Sequence, residues 1–419
     1  MPFGYKPTIE DRRHQKLFAK FVRIERTKQN ISLNELAKLI GIDSSYLSSI
    51  ENAKRVPSEI VIESICDALD ITFDLSLDTE NECKELVRSC YNLLLNNDVA
   101  VEGVYKQLKD NNRYYSFAYP IILLADFLCD VLYKRNAIDD NKLQGLKELE
   151  DLEDESFKVV VTDFEIMAAY KNLNPDQVSE LYLEKLKSFG RIDSSCLLGD
   201  FPLGLFYLHA ATYFSDHRKL LDATQVAKDA QTIFQKHLYL KGMLAIKELN
   251  AKNYFELKNY ERAIEEYKEL AANALVSSNK QLVAMCYENI GSILYKSKKY
   301  DEANHFFNKA LELDLNCKHA RYYLVLSTYE MDEEKALKLI NKYENFDNEL
   351  SKSIIRIIKS IIQDDIDEIE KVYACITNDY SYASLVNDID LILFRFYSKK
   401  SKYDIANIYA TKLINSFID

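Results

Sequence analysis

At 419 residues, 47% hydrophobic and 29% charged, the chain is a folded protein too long for one ordinary core. Nine glycines and six prolines are far fewer turn residues than a sheet-rich fold needs, so the composition points to an all-α protein. The net charge of −12 argues against a generic nucleic-acid binder, but residues 1–77 carry eleven Lys/Arg against eleven Asp/Glu, so the whole acidic excess lies beyond them.

The chain begins with Lys6, Glu10, Asp11, Arg12 and Arg13 breaking any apolar run, so no secretory leader is expected. Leu17, Phe21 and Ile24 at helical spacing predict a first helix over about 14–28. Its basic residues Arg12, Arg13, Lys16, Lys20, Arg23, Arg26 and Lys28 are opposed only by Glu25, which makes this end the one to meet DNA. Ser32 is placed to cap a second helix carrying Leu36, Leu39 and Ile40. Gly41 breaks it, Asp43 caps a third with Tyr46, Leu47 and Ile50, and Pro57–Ser58 open a fourth with Ile62, Ile65 and Leu69 inward. Short helices broken at a glycine turn are the geometry that offers one helix to the major groove.

The run Ile31 to Ala37, then Gly41-Ile42-Asp43, Leu47 to Asn52 and Pro57-Ser58, resembles the Cro/repressor-type (XRE) helix-turn-helix domain over about residues 14–72. By position, the resemblance implies that Ser44, Ser45 and Ser49 face base edges while Tyr46, Asn52, Lys54 and Arg55 sit near phosphates. It also implies an internal ion pair between Arg26 and Glu51. Two positions depart from the family: Leu33 stands where Gln is usual, and Ala53 where Gly is usual. Small hydroxyls read bases less sharply than Arg or Gln, so DNA shape is expected to share the recognition. The plain alternative is that the serines form a solvated helix face.

Polar Asp78-Thr79-Glu80-Asn81-Glu82 reads as the junction between a domain at 1–77 and a second at 78–419. Helical hairpins are expected at about 81–110, 114–152 and 156–189. A forty-residue repeat then emerges: Ala223, Ala263 and Ala303; Leu220, Tyr260 and Tyr300; Phe214, Tyr254 and Leu294; Ala211, Ala251 and Gly291; Ala227, Tyr267 and Phe307. These are the small and aromatic positions of tetratricopeptide (TPR) hairpins, here longer than the usual unit, with further traces at Ala336 and at Tyr403 and Ala406. The expected fold is all-α, a helix-turn-helix domain followed by a right-handed TPR-like superhelical solenoid.

In such an array the first helix of each pair lines a groove suited to a peptide or a partner helix. The candidate lining residues are Thr212, Asp216, Glu248, Lys252, Phe255, Glu288, Asn289, Ser292, Tyr295, Lys296, Arg321 and Thr328. An Asn amide offers a donor and an acceptor to a peptide backbone. Any one of these residues could equally be a solvated helix face.

An XRE domain joined to extended TPR repeats resembles the peptide-pheromone receptor regulators of Gram-positive bacteria (the Rap/Rgg/NprR/PlcR/PrgX group). The resemblance implies a homodimeric transcription factor that binds a double-stranded DNA operator and a short imported peptide. It also implies an Asn just before a small residue as the peptide clamp, matched by Asn289 before Gly291 and, one position along, by Asn250 before Ala251. His209 and Ala210 leave that Asn ladder incomplete.

No HExxH, P-loop, GxGxxG or GxSxG occurs, and the histidines and eight cysteines show no metal spacing, so neither enzyme nor cofactor is expected. The cysteines are expected to be buried reduced thiols, and with the longest apolar run only Ile121–Ala125, the protein is expected to be cytoplasmic and not membrane-bound. Two other functions stay open. One is a bifunctional Rap-like regulator acting on a response regulator, with Gln107 or Gln144 as its glutamine. The other is a DNA-bound scaffold whose groove holds a protein partner.

Overall fold

The computed structural model describes residues 12–109, 111–276, 278–314, 317, 319–343, 349–377 and 383–415. By packing, the chain resolves into two units, residues 1–242 and 243–419. Among the described residues the structure is helical, apart from one isolated bridge between Asp74 and Ser116.

The first unit opens with α1 (Arg12–Lys28), α2 (Leu33–Leu39), α3 (Ser44–Glu51) and α4 (Glu59–Ala68). Their boundaries follow from local chemistry. Ser32 and Glu35 form a reciprocal capping box that satisfies two amide donors at the start of α2. Gly41 takes the left-handed conformation at φ 70°, and Asp43 caps α3 by accepting the Ser45 N–H at 2.7 Å. Ser58 stands at the N-cap of α4 without a side-chain bond.

Ala53 keeps the turn that a glycine usually makes: its φ is 51°, its N–H bonds Ile50 O at 2.9 Å, and the Lys54 N–H bonds Ser49 O at 2.8 Å. A side chain in that conformation is strained, so Ala53→Gly should stabilise this domain by roughly 0.5–1 kcal/mol. A urea midpoint unchanged or lowered in the variant would contradict this.

Leu17, Phe18 and Val22 of α1 pack with Leu36, Leu47, Ile50, Ile62, Ile65 and Leu69. This core does not stop at residue 77, since Phe117, Tyr119, Leu149 and Leu152 belong to it. Phe73 bridges the two parts, with ring centroids 5.3 Å from Phe18 and 5.4 Å from Phe117. The expected 77/78 domain change is therefore no gap in packing. The polar stretch 78–82 opens α5 (Leu77–Leu95), capped by Ser76, with Asp78 and Glu80 at the positive end of the helix.

Glu80 also anchors α1. It is buried, accepts from Arg13 at 2.7 Å, and lies 2.9 Å from His14 Nε2. Burial alone would raise its carboxyl, but His14, Lys84 and Arg13 outweigh that and hold it at about 2.

The unit continues through α6 (Val101–Leu108), α7 (Asn111–Tyr114), α8 (Tyr119–Leu128, running into a π-helical turn Cys129–Tyr133) and α9 (Asp140–Lys147). It is completed by α10 (Glu155–Ala169), α11 (Pro175–Ser188), α12 (Phe201–Asp216) and α13 (Leu220–Lys236). Next come α14 (Leu240–Glu256), α15 (Tyr260–Val276), α16 (Lys280–Lys296) and α17 (Tyr300–Leu313). The remaining helices are α18 (Ala320–Tyr329), α19 (Glu333–Tyr343), α20 (Glu349–Gln363), α21 (Ile366–Thr377), α22 (Ala383–Lys399) and α23 (Tyr403–Asn415).

The forty-residue repeat is two equal halves. Arg218, Leu238, Lys258, Ser278 and Lys298, twenty residues apart, all take positive φ between 52° and 61°. In each case the next residue's N–H bonds a carbonyl five residues back, as Lys219 does to Phe214 at 2.8 Å and Lys299 to Leu294 at 2.9 Å. The expected small positions are all sealed: Ala211, Ala223, Ala251, Ala263, Ala303 and Ala336 are fully buried. At Gly291 a Cβ would lie 2.6 Å from the Phe307 ring, so only glycine admits this approach of α16 to α17. The cysteines are buried except Cys375, which is exposed.

Candidate DNA-reading face and repeat groove

At the N-terminus of α3, Ser44 is half-buried and its hydroxyl makes no hydrogen bond among the described residues, while Ser45 is exposed and its hydroxyl bonds the Asp43 carboxylate, whose pKa it lowers. Ser49 and Asn52 are engaged within the helix: the Ser49 hydroxyl donates to Ser45 O at 2.8 Å and the Asn52 amide to Ser48 O at 2.7 Å. Ser49 thus retains acceptor capacity rather than its donor. Arg55 lies over the Tyr46 ring at 5.8 Å, which holds the guanidinium beside the recognition helix, and Lys54 is exposed next to it. The Arg26–Glu51 pair is present and bidentate, at 2.7 and 2.9 Å.

The peptide-groove residues divide. On α16, Asn289 and Ser292 are half-buried and Lys296 is exposed; their spacing places them on one helix face. Lys296 Nζ sits 4.9 Å from the centre of the Phe255 ring, joining this strip to the face of α14 that carries Glu248 and Lys252, both exposed. Asn250 is half-buried on α14. Forty residues after it stands Ile290, a fully buried position, so Asn250 and Asn289 do not share a register. Tyr295 is turned from the strip against Tyr300 and Tyr323, at 5.7 and 5.4 Å. Thr212 and Asp216 are exposed on α12, in the other unit.

Three residues expected in the groove are structural instead. Glu288 is buried and ties down the start of α18: Oε2 accepts the N–H groups of His319 and Ala320 at 3.1 and 3.0 Å, and Oε1 lies 3.0 Å from His319 Nδ1. Arg321 is buried, and burial lowers its guanidinium pKa. Thr328 is buried, donates to Leu324 O, and accepts from the Asn304 amide of α17 at 3.2 Å. Glu288 sits on the buried side of α16 itself, and Thr328, forty residues on, keeps the same buried phase, while the run of twenty-residue turns ends before α18.

The opposite face of α18 meets α22. The Tyr323 hydroxyl donates to Asp388 at 2.9 Å, and Arg395 pairs with Glu330 at 2.7 Å. Burial pushes the Asp388 carboxyl up. A cavity of about 810 Å³ lies along α17–α19, lined by Asn304, Thr328, Asp332 and Lys335. Of its lining residues only Thr328 is among those expected in the groove.

A helix-turn-helix family matches residues 22–75, and a tetratricopeptide repeat family matches residues 242–316. The chain is a helix-turn-helix protein with tetratricopeptide repeats. It is similar to the transcriptional activator NprA of Geobacillus stearothermophilus, 26% identical over 64% of this chain. It is also similar to the regulatory protein RapD of Bacillus subtilis, 24% identical over 41% of this chain. The chain spans 66% of the length of NprA and 48% of that of RapD.

Among solved structures, the apo form of RapI aligns at TM-score 0.66 and 15% identity, covering 80% of this chain and 96% of that one. NprR in complex with its cognate peptide NprX aligns at TM-score 0.50 and 19% identity, covering 80% and 99%. At these identities the likeness is one of fold. The resemblance to the peptide-pheromone receptor regulators read from the sequence stands in both its modules. Among the described residues no helix is long and apolar enough to cross a membrane.

Proposed function

We propose that this chain is a DNA-binding transcriptional regulator whose repeat groove takes a short signalling peptide that alters DNA binding. The observation that carries this is one chain holding both a capped, pair-locked recognition helix with serines along it and a solvent-reaching polar strip on α16. NprA is named a transcriptional activator, and the fold is shared with NprR, solved with its cognate peptide. Residues 1–77 then read DNA while residues 78–419 bind peptide and dimerise, two copies meeting a two-fold operator.

Ser44 offers a donor and Ser45 an acceptor at the positive end of α3, while Lys54 and Arg55 supply the salt-dependent attraction to phosphate. Replacing Ser44, Ser45 and Ser49 together with Ala should leave helicity and melting unchanged. It should lower affinity for the protein's own promoter by about 1–3 kcal/mol per effective base contact. A footprint as sharp as that of the unaltered protein would remove these serines from the interface.

The peptide site centres on Asn289, Ser292 and Lys296 with Lys252 and Phe255. An extended peptide has unpaired backbone groups, and the Asn289 amide meets one donor and one acceptor together. Asn289→Ala should weaken binding of the cognate peptide, sought among short peptides encoded beside the gene, by about tenfold or more. Peptide-free DNA binding should not change. Calorimetry paired with a promoter gel shift measures both, and equal peptide affinity in the variant would take Asn289 out of the site. Failure of every such peptide to bind would favour the scaffold reading. Gln107 and Gln144 are both exposed, and nothing around either favours action on a response regulator.

A further inference from the structure

On α1 the residues Arg12, Lys16, Lys20 and Arg23 fall within roughly 80° of helix circumference, on a face distinct from the core-facing Leu17, Phe18 and Phe21. Lys16, Lys20 and Arg23 form no ion pair among the described residues, although the chain as a whole is strongly acidic. Lys20 and Arg23 open into a half-closed cleft of about 590 Å³ between α1 and the α8–α9 segment. Its apolar side is formed by Tyr119 and Leu149, both buried, and Lys28 and Glu148 also line it. Lys28 is held by Glu25 at 2.7 Å. Glu148 and Asp151 attract Lys20 without bonding it, and burial still lowers its pKa.

Lys20 and Arg23, neither of them in an ion pair among the described residues, stand beside an aromatic and a leucine in a cavity of ligand size, with Lys28 already neutralised by Glu25. The guanidinium fork of Arg23 suits a phosphate, and low-dielectric walls strengthen the field inside. We infer that this cleft is a second ligand site, taking a small organic phosphate whose anionic group meets Lys20 and Arg23 and whose apolar body lies on Tyr119 and Leu149. The site is separate from the repeat groove. It lies where the first helix of the DNA-binding domain rests on α8 and α9, so its occupant would fasten that seat. A DNA duplex, about 20 Å across, is too wide to enter; DNA on the open part of the stripe is the competing use of these cations.

The test is calorimetry on the full-length protein with phenyl phosphate, adenosine monophosphate, inorganic phosphate and benzoate as probes. Phenyl phosphate or the nucleotide should bind at least tenfold more tightly than inorganic phosphate or benzoate. The double variant Lys20→Gln/Arg23→Gln should lose at least tenfold in that affinity with its circular dichroism intact, and Lys20→Arg should retain it. Absence of binding by both organic phosphates at millimolar concentration would overturn the site, as would binding that survives the double variant. A double variant that loses operator affinity and salt dependence, with no phosphate binding in the parent protein, would assign these cations to the DNA interface instead.

Discussion

Glu51→Ala is expected to destabilise the helix-turn-helix domain by about 3–5 kcal/mol, because it leaves the Arg26 guanidinium buried without its counter-charge. Both side chains are largely enclosed, at 13% and 4% exposure, and the pair is bidentate. The third arm of Arg26 bonds Ile31 O at 2.8 Å, so one residue fixes α1, α3 and the turn before α2 together. Domains of this size hold only about 5–15 kcal/mol in all, so the variant should lose operator binding on mild warming. Replacing both partners with Met should restore much of the loss, since an apolar pair leaves no orphaned charge. Urea unfolding followed by circular dichroism decides this. A single variant with the parent midpoint would show that the pair is incidental.

Glu288→Ala should cost the second unit about 3 kcal/mol without touching peptide recognition directly. One carboxylate satisfies two backbone donors at the start of α18 and meets His319, and its removal leaves those donors without a partner. Thermal unfolding should show the second unit melting early while the first keeps its transition. Peptide affinity measured well below that melting should match the parent protein. A variant that melts normally but loses the peptide would return Glu288 to the groove.

The parts legible in the sequence are those whose cause is local. Ser32 with Glu35, Asp43 before α3, and Gly41 at a positive φ are each decided within a few residues. The alanines at forty-residue spacing announce themselves because close helix packing tolerates so few side chains there. What stayed hidden depends on distant segments. Asp78 to Glu82 read as a domain junction by their polarity, yet a Ser cap makes them a helix start. Arg321 and Thr328 look solvent-facing as polar residues, yet both are buried against neighbouring helices. Phe117 and Leu152 give no hint in sequence that they complete the core of the first four helices.

The five evenly spaced left-handed turns from Arg218 to Lys298 bear on how such a gene can change length. A duplication or loss of forty codons in this stretch returns every alanine to an equivalent neighbour and every groove-facing helix to its own side. A change of twenty codons would preserve each turn equally well, yet it would exchange the helix that carries Asn289's face for the one that backs it. Local closure is thus indifferent to an exchange of helix faces that the buried alanines are not, so selection on length should act in steps of the pair rather than of the single helix.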